Sequence, residues 1–145
     1  MEVGVSSFGA YREAGYTELP HIIIMVDNLT ALKEMYLQDE DPLIVIAREG
    51  LSVGISLIVA NAQTTGIGYK YLANFSARVA LYCNDGSEYS NLFESCRMRP
   101  KNVPGRCIVT YQKEYYECQT YRAFVGEKEI DRVTEMRTFI DECNE

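Results

Sequence analysis

Residues 19–28 read Leu19-Pro20-His21-Ile22-Ile23-Ile24-Met25-Val26-Asp27-Asn28. The apolar run Ile22 to Val26 has no polar face, so it predicts a strand buried on both sides, as in a parallel sheet. A second run of this kind, Ile55-Ser56-Leu57-Ile58-Val59-Ala60-Asn61, follows Gly54. Between them, Thr30 to Leu37 have helical spacing. Asp41-Pro42 then supplies a cap and a proline at the first helical position, for a helix from Leu43 to Val53 that closes at Gly54. Gly50 inside it costs about 1 kcal/mol against Ala. Strands alternating with helices imply an α/β layered domain, and ligands in such sheets sit beyond the carboxyl ends of the strands. Asp27 and Asn61 stand at those ends.

The flanking segments fill out the pattern. Ser6 and Ser7 cap a short helix that ends at Gly15. Ala77 to Cys83 predict a third strand, Ser87 to Ser95 a capped helix, and Pro100 to Gly105 a loop. Arg106 to Tyr111 and Tyr115 to Phe124 predict a hairpin joined through Gln112-Lys113-Glu114. A terminal helix follows, with Ile130, Val133, Met136, Ile140 and Cys143 on one stripe. The expected sheet is mainly parallel with an antiparallel hairpin edge.

Composition narrows the function classes. With 145 residues, 47% of them hydrophobic and 24% charged, the sequence suits one globular domain. A formal charge of −7 gives no overall attraction to phosphate backbones, so DNA is not an expected partner. No apolar run approaches the roughly 20 residues of a membrane span, and no secretory signal precedes the first helix. The 5 cysteines are odd in number and lack a Cys-x-x-Cys spacing, which fits small buried thiols better than a disulfide framework or a zinc site. His21, the single histidine, has no Gly-x-Ser-x-Gly elbow to serve.

An apolar strand ending in Asp27 has the form of a Walker B segment. Such a strand delivers one carboxylate rigidly to its tip, where it can hold a magnesium-bound water. The competing reading is an Asp that caps the next helix. An active ATPase of this kind also needs a second acid to polarise the attacking water. Asn28 stands next, and an amide cannot take a proton at neutral pH. No Gly-x-x-x-x-Gly-Lys-Ser/Thr occurs. Gly66-Ile67-Gly68-Tyr69-Lys70 has the wrong spacing and reads as a flexible loop.

Four segments in order resemble FtsK/SpoIIIE-type motor domains. Leu19 to Asn28 is similar to their Walker B strand, and Gly54 to Asn61 to the strand that follows. Asn74-Phe75-Ser76-Ala77-Arg78-Val79-Ala80-Leu81 and Pro104-Gly105-Arg106-Cys107-Ile108-Val109 are similar to the two later strands. Asn28 in place of the second acid, Leu51 in place of an Arg, and Asn61-Ala62-Gln63 depart from the translocase pattern. With the Tyr- and Glu-rich strand and the acidic end, they make the chain most similar to the degenerate last ATPase domain of EssC/EccC-type proteins of type VII secretion.

The resemblance implies a three-layer, RecA-like P-loop NTPase-type domain lacking its Walker A portion. Residues 1–145 would be the C-terminal part of one such domain, Met1 being a native start or a boundary within a longer chain. It implies a cytoplasmic domain of a membrane-anchored secretion protein, with ATP and magnesium bound in the full-length parent and weakly or not at all in this part. The implied partners are tandem ATPase domains of the same polypeptide, small helical WXG-type substrates, and further copies of the chain. The implied function is substrate recognition or regulation of protein export. The alternatives are part of an active DNA or protein translocase, or a free-standing interaction domain.

Residue by residue, Asp27 is the implied magnesium and catalytic position, with Asn28 marking weak or absent hydrolysis. Asn61 and Gln63 are polar sensors of nucleotide, or strand-end hydrogen bonders. Arg78 and Arg106 are phosphate or intersubunit contacts, or structural ion pairs. Tyr111, Tyr115, Tyr116 and Tyr121 are amphipathic strand residues, or an exposed row that receives a substrate helix.

Overall fold

The computed structural model describes residues 4–36 and 41–144. The two apolar runs form β1, Ile22–Asp27, and β2, Ile55–Ala60, paired in parallel from Ile22 opposite Ile55 to Asp27 opposite Ala60. Helix α1, Phe8–Glu13, precedes them, and Ser7 caps it by accepting the Ala10 N–H at 3.2 Å. The crossover between the strands contains α2, Leu29–Tyr36, and α3, Pro42–Glu49. Leu37, the predicted end of the first of these, lies outside the described residues.

Asp41 precedes α3 as expected, but its side chain caps nothing. It accepts a hydrogen bond from the hydroxyl of buried Tyr71 at 2.5 Å. Burial first, then this carboxylate, push the Tyr71 phenol far above its ordinary pKa. The end of α3 tightens into a 3-10 turn, Gly50–Val53, and stops at Gly54 with φ +84. A Cβ at Gly54 would lie 2.6 Å from the Phe8 ring, so α1 packs where only glycine fits.

After β2 come a 3-10 turn, Thr64–Gly66, and α4, Tyr69–Leu72. Of the stretch from Gly66 to Lys70, predicted as a flexible loop, Gly66 ends the 3-10 turn and Tyr69-Lys70 open α4, so only Ile67-Gly68 remain a link between them. Then β3, Val79–Leu81, α5, Ser87–Leu92, β4, Arg106–Tyr111, and β5, Glu114–Gln119, build a second sheet in the order β3-β4-β5, antiparallel throughout. The final helix, α6, spans Glu129–Asn144.

Two expectations are corrected. The mainly parallel sheet is instead a two-stranded parallel sheet and a three-stranded antiparallel one. Val79–Leu81 pairs with β4, not with β2, and that pairing sets its direction. Neither are the faces of β1 both buried. Ile23 is 55% and Met25 72% exposed, and Ile58 beside Met25 is 51% exposed. The described residues supply no layer for that face.

The enclosed core lies in the second sheet. Tyr89, Phe93, Cys96 and Ile108 are buried together, with Ala80, Cys83, Leu92 and Tyr115 packed around them. The predicted hairpin forms, but its turn is only Gln112-Lys113, with φ +50 and +67, which matches a type I′ turn. β5 ends at Gln119, opposite Arg106 where β4 starts, so Thr120 to Phe124 have no ladder partner and are not strand.

Candidate functional site

The carboxyl ends of β1 and β2 are held level by their parallel register, which puts Asp27 opposite Ala60 and leads the chain into Asn28 and Asn61. Asn28 turns sharply there, with φ +62, and its N–H reaches the Ala60 carbonyl at 2.9 Å. Its side-chain Oδ1 accepts the Ala31 N–H at 3.1 Å. Asn28, not Asp27, thus performs the helix-capping role open to either. The Asp27 side chain is exposed and makes no hydrogen bond or ion pair among the described residues.

Asn61 braces the other side. Its Oδ1 accepts from the Thr30 N–H at 3.2 Å and the Thr30 hydroxyl at 3.1 Å. Its amide nitrogen donates to the Gln63 carbonyl at 2.5 Å. The first turn of α2 is therefore held by two asparagines from the two strand ends. A cavity of about 390 Å³ opens over them, lined by Asn28, Thr30, Asn61, Ala62, Gln63, Thr65 and Gly66.

Three predicted residues, Asn28, Asn61 and Gln63, meet at this cavity; Asp27 precedes Asn28 at the end of β1 but is not among its lining residues. Thr30, Thr65 and Gly66 were not foreseen. Gly66 carries the clearest reason: a Cβ there would fall 1.8 Å from Thr30 Oγ1, so the backbone lies directly on Thr30. The Thr-Thr-Gly sequence just past a strand end was the available signal.

The arginines lie elsewhere. Arg78 gives Nε to Phe75, Nη1 to Leu92 and Nη2 to Leu72, all backbone carbonyls, at 3.0, 2.7 and 2.6 Å. It ties the ends of α4 and α5 to the start of β3. Arg106 pairs with Glu117 across the hairpin at 3.6 Å, and its buried Nε finds no hydrogen-bond acceptor. Neither lines the cavity. Tyr115 turns into the core, donating to the Glu94 carbonyl at 2.5 Å, while Tyr111, Tyr116 and Tyr121 stay exposed.

The donor set can be tested against magnesium and ATP. Magnesium is commonly held through one or two carboxylates, substrate phosphates and several waters. Asp27, without a partner among the described residues, fits the protein's share of that arrangement. Among the described residues no group of three metal-binding side chains occurs, and no cationic side chain lines the cavity to meet phosphate. The site offers one carboxylate and neutral polar groups.

No family model matches the chain. It is 28% identical over 108 residues to the type VII secretion system protein EssC of Staphylococcus aureus (strain NCTC 8325 / PS 47), covering 73% of this chain and 7% of that protein. It is 28% identical over all 145 residues to the ESX secretion system protein EccC of Geobacillus thermodenitrificans (strain NG80-2), covering 10% of that protein. The solved structure of EssC ATPases 2 and 3 from Geobacillus thermodenitrificans superposes with a TM-score of 0.85 at 27% identity, over 98% of this chain and 27% of that one.

The chain's homologues are EssC and EccC proteins of type VII secretion. The chain spans a tenth or less of the length of these curated relatives. Its fold matches part of the EssC ATPase-domain structure and is a mixed α/β arrangement with parallel and antiparallel sheets. Among the described residues no helix is long and apolar enough to cross a membrane.

Proposed function

We propose that residues 1–145 form the Asp27-bearing, C-terminal part of a degenerate, RecA-like ATPase domain in a type VII secretion coupling protein. Its role is substrate recognition or regulation of export rather than hydrolysis. The observation that carries this reading is the state of Asn28. The position after Asp27 holds an amide, which cannot take a proton from water at neutral pH, and its oxygen is engaged in capping α2. Asp27 retains a carboxylate that would hold the water shell of a magnesium ion, which when bound would neutralise phosphate charge. Asn61 and Gln63 would meet a nucleotide only as neutral polar contacts.

The exposed apolar face of β1 and β2 supports the remainder of the reading. Ile23, Met25 and Ile58 have the character of core residues and need covering polypeptide. In this proposal the cover is the rest of the ATPase domain, with sister domains in tandem, in a cytoplasmic portion of a membrane-anchored protein. On the second sheet, Val79, Leu81, Tyr111 and Tyr116 share the outer face and are all exposed. That face suits the apolar side of a small helical WXG-type substrate.

One observation favours a second reading, an active translocase: the Asp27 carboxylate is not used structurally. A single experiment separates the two. Asp27→Ala is placed in the longer secretion protein and ATP turnover is measured, alongside substrate-helix binding by Tyr111→Ala/Tyr116→Ala. The expected result is turnover within a few-fold of wild type for the first variant and weakened helix binding for the second. A large loss of turnover in Asp27→Ala, as follows when a magnesium-holding carboxylate is removed from a working site, overturns the degenerate reading.

A further inference from the structure

We propose that Cys107 and Cys118 are a redox modification site, joined by a cross-strand disulfide when the protein meets a small-molecule disulfide. The two residues are directly opposed Cα partners in the β4–β5 ladder. Tyr111 and Glu114 close the two-residue turn, and a pair that closes such a turn exchanges both backbone hydrogen bonds. Hydrogen-bonded and non-bonded pairs alternate along an antiparallel ladder, so Val109–Tyr116 and Cys107–Cys118 are of the same bonded kind. In such a pair the Cα atoms lie about 5.5 Å apart. Disulfides span Cα separations of about 4.4–6.8 Å, which includes this spacing. Their Cβ atoms lie about 3.5–4.5 Å apart, against about 4.5–5.5 Å for opposed residues, so closing the bond draws the two strands together by about 1 Å.

Both side chains lie on one face of the sheet. Residues directly opposite one another project from the same face of the sheet. The Cys107 thiol reaches across the gap, with Sγ 3.7 Å from the Cys118 carbonyl oxygen. Burial pushes the Cys107 thiol up, the neighbouring Cys118 adds to this, and the Arg106 charge opposes both. Cys107 is 2% exposed, whereas Cys118 is half-buried. Cys118 is therefore the one of the pair open to an outside reagent, and Cys107 lies covered beside it on the neighbouring strand. The remaining cysteines have no such partner: Cys83 bonds the Asp85 carbonyl, Cys96 sits in the core cluster, and Cys143 is exposed on α6.

The chemistry is thiol–disulfide exchange, with oxidised glutathione as the representative oxidant. The Cys118 thiol loses its proton and its sulfur attacks one glutathione sulfur. A protein–glutathione disulfide forms, and one glutathione leaves and takes up a proton. The Cys107 thiol then loses its proton and attacks Cys118 Sγ, forming the protein disulfide and releasing the second glutathione, which is protonated in turn. The two cysteines are oxidised and the glutathione disulfide is reduced, so atoms and electrons balance. Because burial keeps Cys107 protonated, the second step quickens as the pH rises.

The test treats the folded protein carrying Cys143→Ser with oxidised glutathione, then maps disulfides by mass spectrometry of proteolytic peptides. The expected result is a loss of two hydrogens from the intact mass and one cross-linked peptide joining Cys107 to Cys118. Cys107→Ser should leave Cys118 stranded as its glutathione adduct, and Cys118→Ser should leave Cys107 unmodified. The proposal is overturned if wild-type Cys118 stops at the glutathione adduct, if neither thiol reacts, or if the cross-link forms only in denaturant. Should Cys107→Ser fail to fold, the map of the parent protein still decides.

Discussion

The β1–β2 pair and the β4–β5 hairpin are built from similarly apolar or aromatic strands, yet they are enclosed very differently. Ile108 in β4 is fully buried beneath Phe93 and Tyr89. Met25 in β1, inside a more hydrophobic run, is 72% exposed. The antiparallel sheet recruits its cover locally, from α5 and the loop after it. A parallel pair needs layers on both faces, and the described residues provide only one. Apolar sequence states a demand for burial; where that demand is met depends on chain connectivity.

This contrast can be broken most directly by truncation. Phe93→Ala should cost about 3–5 kcal/mol, because it empties the enclosed cluster. Met25→Ala in the same chain should stay within about 0.5 kcal/mol, as an exposed substitution does. Urea denaturation reads both, and equal losses would remove the distinction between the two sheets. In the longer protein Met25→Ala should become costly, if further polypeptide covers β1.

A smaller effect sharpens the contrast at the strand tips. Asn28→Ala should cost about 1 kcal/mol from the lost cap, with added strain because Ala disfavours φ +62. Asn28→Gly should restore most of it, since glycine accepts that backbone geometry. If Gly and Ala behave alike, the turn at Asn28 does not hold α2.

The mildest test is alkaline pH. Burial is the leading reason that the phenols of Tyr71, beside α3, and Tyr89, in the core cluster, are both pushed up. Their folded-state values lie above the unfolded ones, so this stability is complete below about pH 10 and is lost as the pH rises further. Melting followed against pH should decline on that side, with phenolate absorbance from these two tyrosines appearing later than that of a free tyrosine. Ionisation of every tyrosine at its ordinary pKa would contradict the enclosure of both regions.

Much of this architecture was legible in the residues. The runs 22–27 and 55–60 gave both parallel strands, because short, mostly apolar runs rich in Ile and Val that follow a Gly or Pro closely leave few alternatives. Asp41-Pro42 and Gly54 marked the ends of the crossover helix. The exposure of Ile23 and Met25 was not legible, since a strand cannot record whether its covering layer is nearby in sequence. Nor was the end of β5, for Thr120 to Phe124 look as strand-like as Tyr115 and differ only in lacking a partner. At the site, Asp27 and Asn61 followed from topology alone. Thr30 and Gly66 did not, because their closeness arises only when the 3-10 turn after β2 folds against the first turn of α2. Arg78 shows the same limit: its sequence neighbours gave no hint that three carbonyls would surround its guanidinium.

The turn at Gln112-Lys113 has a consequence in time as well as in space. Its two left-handed residues bring β4 and β5 together across a minimal loop, a contact that forms in about 1–10 μs in isolated hairpins. Pairing β1 with β2 must first close the whole crossover from Asn28 to Gly54, a slower search. The hairpin is thus expected to be an early foothold of the folding chain. Kinetic φ-values higher at Val109 than at Val59 would mark that order of assembly, and the reverse would refute it.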